Sequence, residues 1–511
     1  MIGRRELLIG AATAAALSGP ARLLAASGDA DARLRRVLDG LAALPDPAAK
    51  LARLAPLSTA GLSHSAMLDL VTARQGLAID ARLARVFPFG APGGSPYVVG
   101  PSSGAWRDAA KSKTAPALAG RIEDETRRIA ADARAGVQLP QPFLDRTVAA
   151  IRAVAADGVV GAALARQAAV LASLRGSAGD SPGVWRLPRG RAWYALMLER
   201  SLGEPIDPAA AHRRLMREWE TLAARADRLL AAQGFTRGSV GERFVAMFRD
   251  PRWHYPDSSA GRDRAVADMN ATLDKARARV PELIGPVPRF CLDVTVRRMS
   301  PAEEAARKGG YRIVATPTTA GAYFVDLADI ARRPSWSLGS VVHHELLPGH
   351  MIQLPIEAAA DPHPLRTEYA PAFAEGWGVY AEALAAETGA FAGDDPMLLG
   401  NIHWLLFRIG RGIVDTGIHY ARWSLAKAQE TLRETQGEPA YFAPFSIDID
   451  RVALEPGIRA AEALTWLRLA DLRTRMARNG RPADAMRRFH QLVLADGRKR
   501  LETIEAEISI K

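Results

Sequence analysis

One stretch of the chain combines metal-binding residue types with a break in helical structure: HELLPGH, residues 344–350. Two histidines four residues apart lie about 40° apart around a helix axis, but His344 and His350, six residues apart, would lie about 120° apart on a continuous helix. Pro348 and Gly349 stand between them, and these residue types interrupt a helix and permit unusual backbone angles. We therefore predict that the chain bends there and returns His350 to His344.

The residue types in and after this stretch are those of a zinc site in a hydrolase. Such sites take three ligands from histidine and carboxylate groups, leave one position to water, and place a further carboxylate nearby as a base. We predict His344, His350 and Glu375 as ligands of Zn²⁺. Glu375 would come from a second helix, and Glu345 would be the base that activates the zinc-bound water. The alternative for Glu375 is a solvated surface acid.

Two further residues are predicted to support the ligands. Glu382 lies seven residues after Glu375, on the same face of the second helix, and could hold the other ring nitrogen of a ligand histidine. The alternative for Glu382 is again a surface acid. His343 is a competing ligand candidate, but it would face away from the side of Glu345, so we predict a supporting or structural role.

A polar stripe follows on a later, largely apolar segment. Its residues recur at steps of three and four, which places them on one helical face: Trp404, Arg408, Arg411, Asp415 and His419. Asp415 is predicted to pair with Arg411 or His419. His419 could then donate to the oxyanion formed during hydrolysis, with Tyr380 and Tyr420 as alternative donors. The other interpretation is a salt-bridged stripe that only fixes helix packing.

The rest of the sequence predicts a mainly helical fold with one small sheet. Apolar residues recur at three- and four-residue steps in several long windows, whereas residues 289–326 contain three short β-rich segments. These segments are residues 294–296, 311–315 and 322–325. We predict a helical half at 28–288, a β-rich segment at 289–330 and a helical catalytic half at 331–511, interlocked as one unit.

The first 27 residues predict an export signal. Arg4 and Arg5 precede an apolar run from Leu7 to Leu17, and small residues follow at 25–27. Paired arginines before such a run favour the twin-arginine route, so we expect a periplasmic or extracellular protein. The alternative, an amphipathic helix, would need a polar face that this run lacks. A lipid anchor is not expected because no cysteine lies near the cleavage region.

Composition excludes some classes of partner. The formal net charge is +11, but the arginines are scattered singly beside acidic residues, which does not predict nucleic-acid binding. After the N-terminus no apolar run approaches the ~20 residues of a membrane-spanning helix, so stable membrane insertion is not expected. The single cysteine, Cys291, excludes an internal disulfide and is predicted to be a buried structural thiol. The sequence carries no signal for an oligomeric state.

These motifs resemble those of a bacterial family, domain of unknown function 885 (DUF885), over most of the chain. The marks are HELLPGH at 344–350, then Glu375-Gly376-Trp377 with Tyr380 and Glu382, and then Arg411 with residues 414–419. Family members are similar to mostly helical zinc oligopeptidases and carboxypeptidases, which implies a deep cleft lined by a strand at residues 322–326. That strand could bind an extended peptide by edge pairing, with Tyr323 and Arg408 as substrate contacts.

One segment departs from the family pattern. Near the C-terminus the family usually shows Pro-Gly-Gln-Ala and then a Tyr, whereas this chain has PGIRA at 456–460. Glu462 and Trp466 could replace the missing residues, and Arg459 could read a substrate carboxylate. The departure therefore concerns substrate contacts and not metal binding.

The expected activity is zinc-dependent hydrolysis of a peptide or small amide, of oligopeptidase or carboxypeptidase type. One alternative is a zinc hydrolase that acts on a non-peptide amide or ester. Another is a non-catalytic exported binding protein, but a binding protein would not need Glu345 as a base beside its metal ligands.

Overall fold

The computed structural model of the protein describes residues 20–90, 94–110, 116–437, 444–478 and 482–510. The predicted signal segment lies outside this description except for residues 20–27, which begin the first helix. The described chain is mainly helical with one small sheet, which confirms the predicted fold class.

The helices, in chain order, are α1 (Pro20–Gly40), α2 (Pro47–Leu54), α3 (His64–Val86), α4 (Pro116–Arg134), α5 (Gln141–Arg152), α6 (Gly158–Ser173), α7 (Gly190–Leu202), α8 (Pro208–Ala232), α9 (Val240–Arg249), α10 (Ser259–Leu283), α11 (Pro301–Ala305), α12 (Ser335–Glu345), α13 (His350–Ala360), α14 (Pro364–Tyr369), α15 (Phe373–Glu387), α16 (Asp395–His419), α17 (Leu425–Gln436), α18 (Phe445–Leu454), α19 (Ile458–Ala477), α20 (Pro482–Leu494) and α21 (Leu501–Ile510). The strands are β1 (Val294–Arg298), β2 (Tyr311–Ile313) and β3 (Gly321–Val325).

Helix α8 shows how local sequence sets an element. It begins at Pro208, whose missing N–H costs nothing at the first helical turn. The Asp207 side chain accepts a hydrogen bond from the Ala210 backbone N–H at 2.9 Å and so satisfies a donor that the helix leaves open. The helix then continues to Ala232.

Helix α16 lies at the centre of the fold. Every residue from Leu399 to His419 is buried, and the helix packs against α8, α12, α17 and α19. The apolar core around it draws residues from Leu198 to Ile504, and each buried leucine or isoleucine contributes about 2 kcal/mol. A helix enclosed in this way presents its polar side chains at fixed positions.

The sheet has the order β1-β3-β2, with β1 parallel and β2 antiparallel to β3. Both edges of β3 are therefore hydrogen-bonded within the sheet, and the prediction that residues 322–326 bind a peptide by edge pairing is wrong. β2 is the strand at the sheet edge on the side of the HELLPGH stretch. Its Arg312 lies opposite Tyr323 of β3.

The predictions about the cysteine and about membrane-spanning helices can be compared with the described residues. Cys291 is buried, and burial raises the pKa of its thiol to about 11, as expected for a structural cysteine. Within the described ranges, no helix combines the length and the apolar character needed to cross a bilayer.

Candidate metal centre

The HELLPGH stretch forms a sharp turn between two helices. Helix α12 ends at Glu345 and α13 begins at His350. A side chain at Gly349 would place its Cβ 2.0 Å from the His344 carbonyl oxygen, so only glycine fits the turn. Trp377 Nε1 donates to the Pro348 and Gly349 carbonyl oxygens at 3.1 and 3.2 Å. The predicted bend is therefore present, and α15 holds it in place.

The turn brings the three predicted ligands together. One ligand atom from each of His344, His350 and Glu375 lies within 4.8 Å of the other two. Nε2 of each histidine is 3.5 Å from a Glu375 carboxylate oxygen, and the two imidazole planes are nearly perpendicular at 89°. Both histidines are buried, while 36% of the Glu375 side chain is exposed towards a cavity.

The geometry fits a small divalent cation. In a tetrahedral zinc site with bonds of about 2.0–2.1 Å, ligand atoms lie about 3.4 Å apart, close to the 3.5 Å separations seen around Glu375. Among the residues that the structure describes, neither ring nitrogen of His350 has a hydrogen-bond partner, although the ring is buried. A buried polar atom without a partner costs about 1–3 kcal/mol, and a cation at this position would remove that cost for Nε2.

Glu375 and His350 have the charge states that a metal site requires. Burial opposes ionisation of Glu375, but His344 and His350 beside it hold its pKa well below the usual range. Burial also lowers the pKa of His350, which keeps the imidazole neutral and its lone pair available. The cluster therefore offers a carboxylate and a neutral imidazole at neutral pH.

Glu382 holds the other side of the His344 ring, as predicted. Its Oε1 is 2.7 Å from Nδ1 of His344, and its Oε2 accepts a hydrogen bond from Ser340 Oγ at 2.8 Å. Asn401 Nδ2 donates to Ser340 Oγ at 3.0 Å. Burial raises the pKa of Glu382, but His344 and Arg408 more than offset this and lower it overall. Nε2 of His344 is left facing the cluster.

Small residues on α15 permit this close approach. A Cβ at Gly378 would lie 2.6 Å from Cε1 of His344, and a Cβ at Gly376 would lie 2.4 Å from Cβ of Thr465 on α19. Real side-chain atoms do not approach so closely, so α15 can contact both neighbouring helices only with glycine at these positions.

Glu345, the predicted base, is paired with a residue that the sequence did not single out. The guanidinium Nη1 of Arg312 donates to Glu345 Oε2. Arg312 lies on β2, 33 positions before Glu345, and no local pattern connects them. One signal for Arg312 was available in the sequence: the predicted strand just before the helix of the HELLPGH stretch contains an arginine.

Arg408 of α16 lies directly against the cluster. Its Nη2 is 3.5 Å from Nδ1 and 3.3 Å from Nε2 of His344. Such similar distances place the guanidinium over the face of the ring and not along a nitrogen lone pair. It also approaches Glu375 Oε2 at 3.8 Å and Glu382 Oε1 at 3.6 Å. Burial lowers the pKa of Arg408, but these carboxylates raise it overall, so the guanidinium stays charged.

These groups line one cavity of about 530 Å³. Its lining comprises Gly310, Tyr311, Arg312, Val314, Tyr323, His344, Glu345, Leu354, Glu375 and Arg408. The predicted substrate contacts Tyr323 and Arg408 thus face the same space as the predicted ligands His344 and Glu375. A separate cleft of about 660 Å³ lies against Arg82 and Glu199, but its lining includes no histidine or cysteine and offers no comparable chemistry.

The three predicted oxyanion donors lie elsewhere, and this part of the prediction is wrong. His419 is enclosed: Nδ1 accepts from the Val184 N–H and Nε2 donates to the Val452 carbonyl, while burial lowers its pKa to about 4. The Tyr380 hydroxyl is 2.7 Å from Nε2 of His490. Tyr420 packs against a second apolar cluster. None of these three side chains is in the cavity lining.

Asp415 fixes helix packing, as the alternative interpretation of the polar stripe predicts, but it does so through partners outside the stripe. It accepts hydrogen bonds from the Tyr194 hydroxyl at 3.0 Å and from the backbone N–H groups of Gly457 and Ala460 at 2.9 and 3.1 Å. The predicted pairing with Arg411 or His419 is therefore wrong. Asp415 instead holds the beginning of α19 against α16.

The remaining predicted residues take part in packing contacts. Arg411 and Arg459 both contact Glu462, Arg411 at 3.5 Å. Arg459, the predicted reader of a substrate carboxylate, is not among the residues that line the cavity. His343 Nδ1 lies 3.0 Å from the Leu347 carbonyl oxygen. This contact within the turn agrees with the predicted structural role of His343.

Solved structures share this fold. A putative lipoprotein from Colwellia psychrerythraea has 22% sequence identity and a TM-score of 0.69, and the match covers 95% of this chain and 90% of that one. A putative lipoprotein of unknown function from Shewanella oneidensis has 14% identity and a TM-score of 0.65, with 93% and 92% covered. At these identities the similarity shows the fold alone. A comparison with curated proteins finds no match. Residues 104–508 match the family described as bacterial protein of unknown function, DUF885, and the chain therefore belongs to that family.

Proposed function

We propose that this protein is a zinc-dependent hydrolase of peptide or related small amide bonds. The observation that carries the proposal is the convergence of His344, His350 and Glu375 on one point, with the carboxylate of Glu345 in the same cavity. Two histidines and one carboxylate are a donor set of catalytic zinc sites, and such sites use a neighbouring carboxylate that is not itself a ligand as a base.

A zinc ion held by these ligands would polarise the substrate carbonyl group and lower the pKa of water. Glu345 follows the ligand His344 directly in the chain and faces the cavity, so its carboxylate is placed to take a proton from the attacking water. The water oxygen bonds to the carbonyl carbon, the carbon–nitrogen bond breaks, and Glu345 passes the proton to the leaving nitrogen. Atoms and charge balance without any further reactant.

Negative charge that develops on the carbonyl oxygen needs donors nearby. Arg408 and Tyr323 line the cavity beside the predicted ligands, and they take the place of the enclosed His419. A positioned donor of this kind contributes about 3 kcal/mol to the stability of a transition state. The cavity volume of about 530 Å³ falls in the range of small-ligand sites and favours a short peptide or a small amide over a folded protein.

Export through the twin-arginine route to the periplasm or beyond is part of the same proposal. Arg4 and Arg5 before an apolar run support it. Two structures with this fold are described as putative lipoproteins, a class of proteins that are exported. A large domain without disulfides is suited to a route that carries folded proteins.

Elemental analysis of the purified protein tests the metal site. We expect about one zinc per chain in the native protein and in a His254→Ala control, whose histidine hydrogen-bonds the Phe248 carbonyl oxygen away from the cluster. A His350→Ala variant should contain little metal. Absence of metal from the native protein, even after zinc is supplied, would contradict the proposal and favour a binding protein.

Turnover of a peptide library tests the role of the base. The Glu345→Gln variant should keep its zinc and lose hydrolysis by a factor of 10² or more, on the order of what general base catalysis contributes. Undiminished hydrolysis by this variant would exclude Glu345 as the base. If the native protein hydrolyses small amides or esters but no peptide, the proposed zinc chemistry stands and the proposed substrate class changes.

A further inference from the structure

We propose that Arg312 recognises a substrate carboxylate next to the scissile bond, and that this contact releases Glu345 to act as the base. The substrate class would then be peptides with a free C-terminal carboxylate, from which the enzyme removes the last residue. This inference rests on the proposed function. It arises from the ion pair between Arg312 and Glu345, which joins the predicted base to a cavity arginine.

The two members of the pair are exposed to different extents. The Arg312 side chain is 28% exposed and that of Glu345 is 10% exposed. Arg312 therefore lies nearer the opening of the cavity, and Glu345 lies deeper, beside the ligands. A guanidinium carries more N–H donors than one carboxylate oxygen uses, and within the described part of the chain Glu345 is the side chain to which Arg312 donates. An incoming anion meets Arg312 before it reaches Glu345.

The pair also restrains the base. Glu345 Oε2 accepts a hydrogen bond from Arg312, and this hydrogen bond occupies a lone pair that would otherwise face the proton of an attacking water. A substrate carboxylate can bind the planar guanidinium through two parallel hydrogen bonds, which is the arrangement that arginine favours. Transfer of Arg312 from Glu345 to the substrate therefore frees the base only when the correct substrate is present.

The charges and the substrate geometry agree with this assignment. The charged lining side chains are Arg312, Arg408, Glu345 and Glu375, so a bound divalent cation leaves the cavity with a net positive charge that attracts anions. In a peptide, one nitrogen and one Cα separate the last peptide carbonyl from the terminal carboxylate. An arginine in contact with the base is thus within reach of that carboxylate. Hydrolysis adds water across the last peptide bond and gives a shortened peptide and a free amino acid.

The register of the sheet holds Arg312 in place. β2 pairs with β3 so that Arg312 lies opposite Tyr323, and Tyr311 stacks on Phe324 with ring centroids 4.6 Å apart. A specificity residue on a paired strand is more precisely placed than one on a loop. Arg297 of β1 provides a matched control because it is an exposed arginine of the same sheet and lies outside the cavity lining.

The test compares hydrolysis of N-acetylated tripeptides as free acids, as C-terminal amides, and as amides that end in Asp or Glu. We expect the native enzyme and Arg297→Ala to favour the free acids in kcat/KM by at least about tenfold. Arg312→Ala should lower kcat/KM for the acids by at least about tenfold and should not lower it for the amides, because removal of the guanidinium also frees Glu345. Arg312→Lys should retain part of the preference for the acids. An equal loss of kcat/KM on acids and amides in Arg312→Ala, or a native enzyme that does not favour the free acids, would overturn the proposal. If the native enzyme prefers the amides that end in Asp or Glu over the free acids, Arg312 recognises an acidic side chain and not the C-terminal carboxylate, which would overturn the proposal.

A binding measurement separates this proposal from the proposed function. Zinc-loaded Glu345→Gln should bind a free-acid tripeptide at least about tenfold more tightly than its amide by calorimetry, and the double variant with Arg312→Ala should lose that difference. If the native enzyme hydrolyses peptides but binding ignores the carboxylate, the Arg312 proposal fails alone. If the native enzyme hydrolyses no peptide yet binding depends on Arg312 and the carboxylate, the peptidase proposal fails and the recognition site stands.

Discussion

Oε1 of Glu382 lies 2.7 Å from Nδ1 of His344, and both side chains are almost completely buried. A carboxylate this close to Nδ1 favours a proton on that nitrogen, which leaves the lone pair on Nε2. The same Nε2 is 3.5 Å from the Glu375 carboxylate. Glu382 therefore sets the direction in which His344 can bind a metal, although it is not itself a ligand in the proposed site.

Replacement of Glu382 by Gln should weaken zinc binding by about 10–100-fold, the usual effect of losing a partner that orients a ligand histidine. The amide keeps the size of the side chain and a hydrogen-bonding atom for Ser340, so the fold should persist. Competition with a chelator of known affinity measures the change. Glu387→Gln on the same helix is the control, because Glu387 is 46% exposed and pairs with Arg473. Equal zinc affinity in both variants would contradict the orienting role.

A Gly378→Ala substitution should reduce zinc binding through steric displacement alone. Glycine to alanine in a helix normally stabilises it by about 0.5–1 kcal/mol, but the added Cβ here would lie 2.6 Å from Cε1 of His344. The matched control is Gly120→Ala in α4, where no atom lies within 4 Å of the added Cβ. We expect lower zinc content in Gly378→Ala and unchanged content in Gly120→Ala by elemental analysis. Full zinc occupancy in Gly378→Ala would show that α15 can move without loss of the site.

The sequence was sufficient to predict the cluster of His344, His350 and Glu375 because its constraints are local or follow from residue type. Proline and glycine between His344 and His350 required a turn, and the spacing of Glu375 and Glu382 placed both on one face of a helix. The three β-rich segments were also located correctly. Each of these inferences depends on backbone geometry over a few residues.

The errors arose where a residue's role depends on how far along a helix it lies or on how separate elements pack together. Arg408 and His419 share a face of α16, but eleven residues separate them, which is about 16 Å along the helix axis. Arg408 therefore reaches the cavity while His419 contacts backbone near α18. Arg312 was missed because only the pairing of β2 with β3 brings it to Glu345, and strand order in the sheet is not encoded in a local pattern.

Substitution of Asp415 by Ala should destabilise the fold and spare the metal site. It would leave the Tyr194 hydroxyl and the Gly457 and Ala460 N–H groups without their buried acceptor. Unsatisfied buried donors cost about 1–3 kcal/mol each, so we expect a loss of roughly 3 kcal/mol or more in the free energy of unfolding. Urea unfolding measures this loss, and Asp415→Asn, which keeps one acceptor oxygen, should lose less. Loss of zinc without loss of stability would instead return Asp415 to the active site.

Two buried histidines away from the metal centre predict acid sensitivity of the fold. Burial lowers the pKa of His419 from 6.5 to about 4 and that of His490 from 6.5 to about 3. Both imidazoles are therefore neutral in the folded protein, whereas in the unfolded chain they bind protons near pH 6.5. The stability that they contribute is complete above that pH and is lost as the pH falls towards 4, on the order of 3 kcal/mol for each histidine.

Urea unfolding between pH 7.5 and pH 4.5, with a chelator present so that metal release does not contribute, measures this dependence at about four pH values. The variant His419→Asn keeps an acceptor for the Val184 N–H and loses the donor to the Val452 carbonyl. It should be less stable than the native protein at pH 7.5, because a buried carbonyl loses its partner, but its stability should fall less on acidification. A native-like loss of stability with pH in this variant would show that His419 binds its proton at the same pH in the folded and the unfolded chain, and its hydrogen bonds to backbone would then need a different assignment.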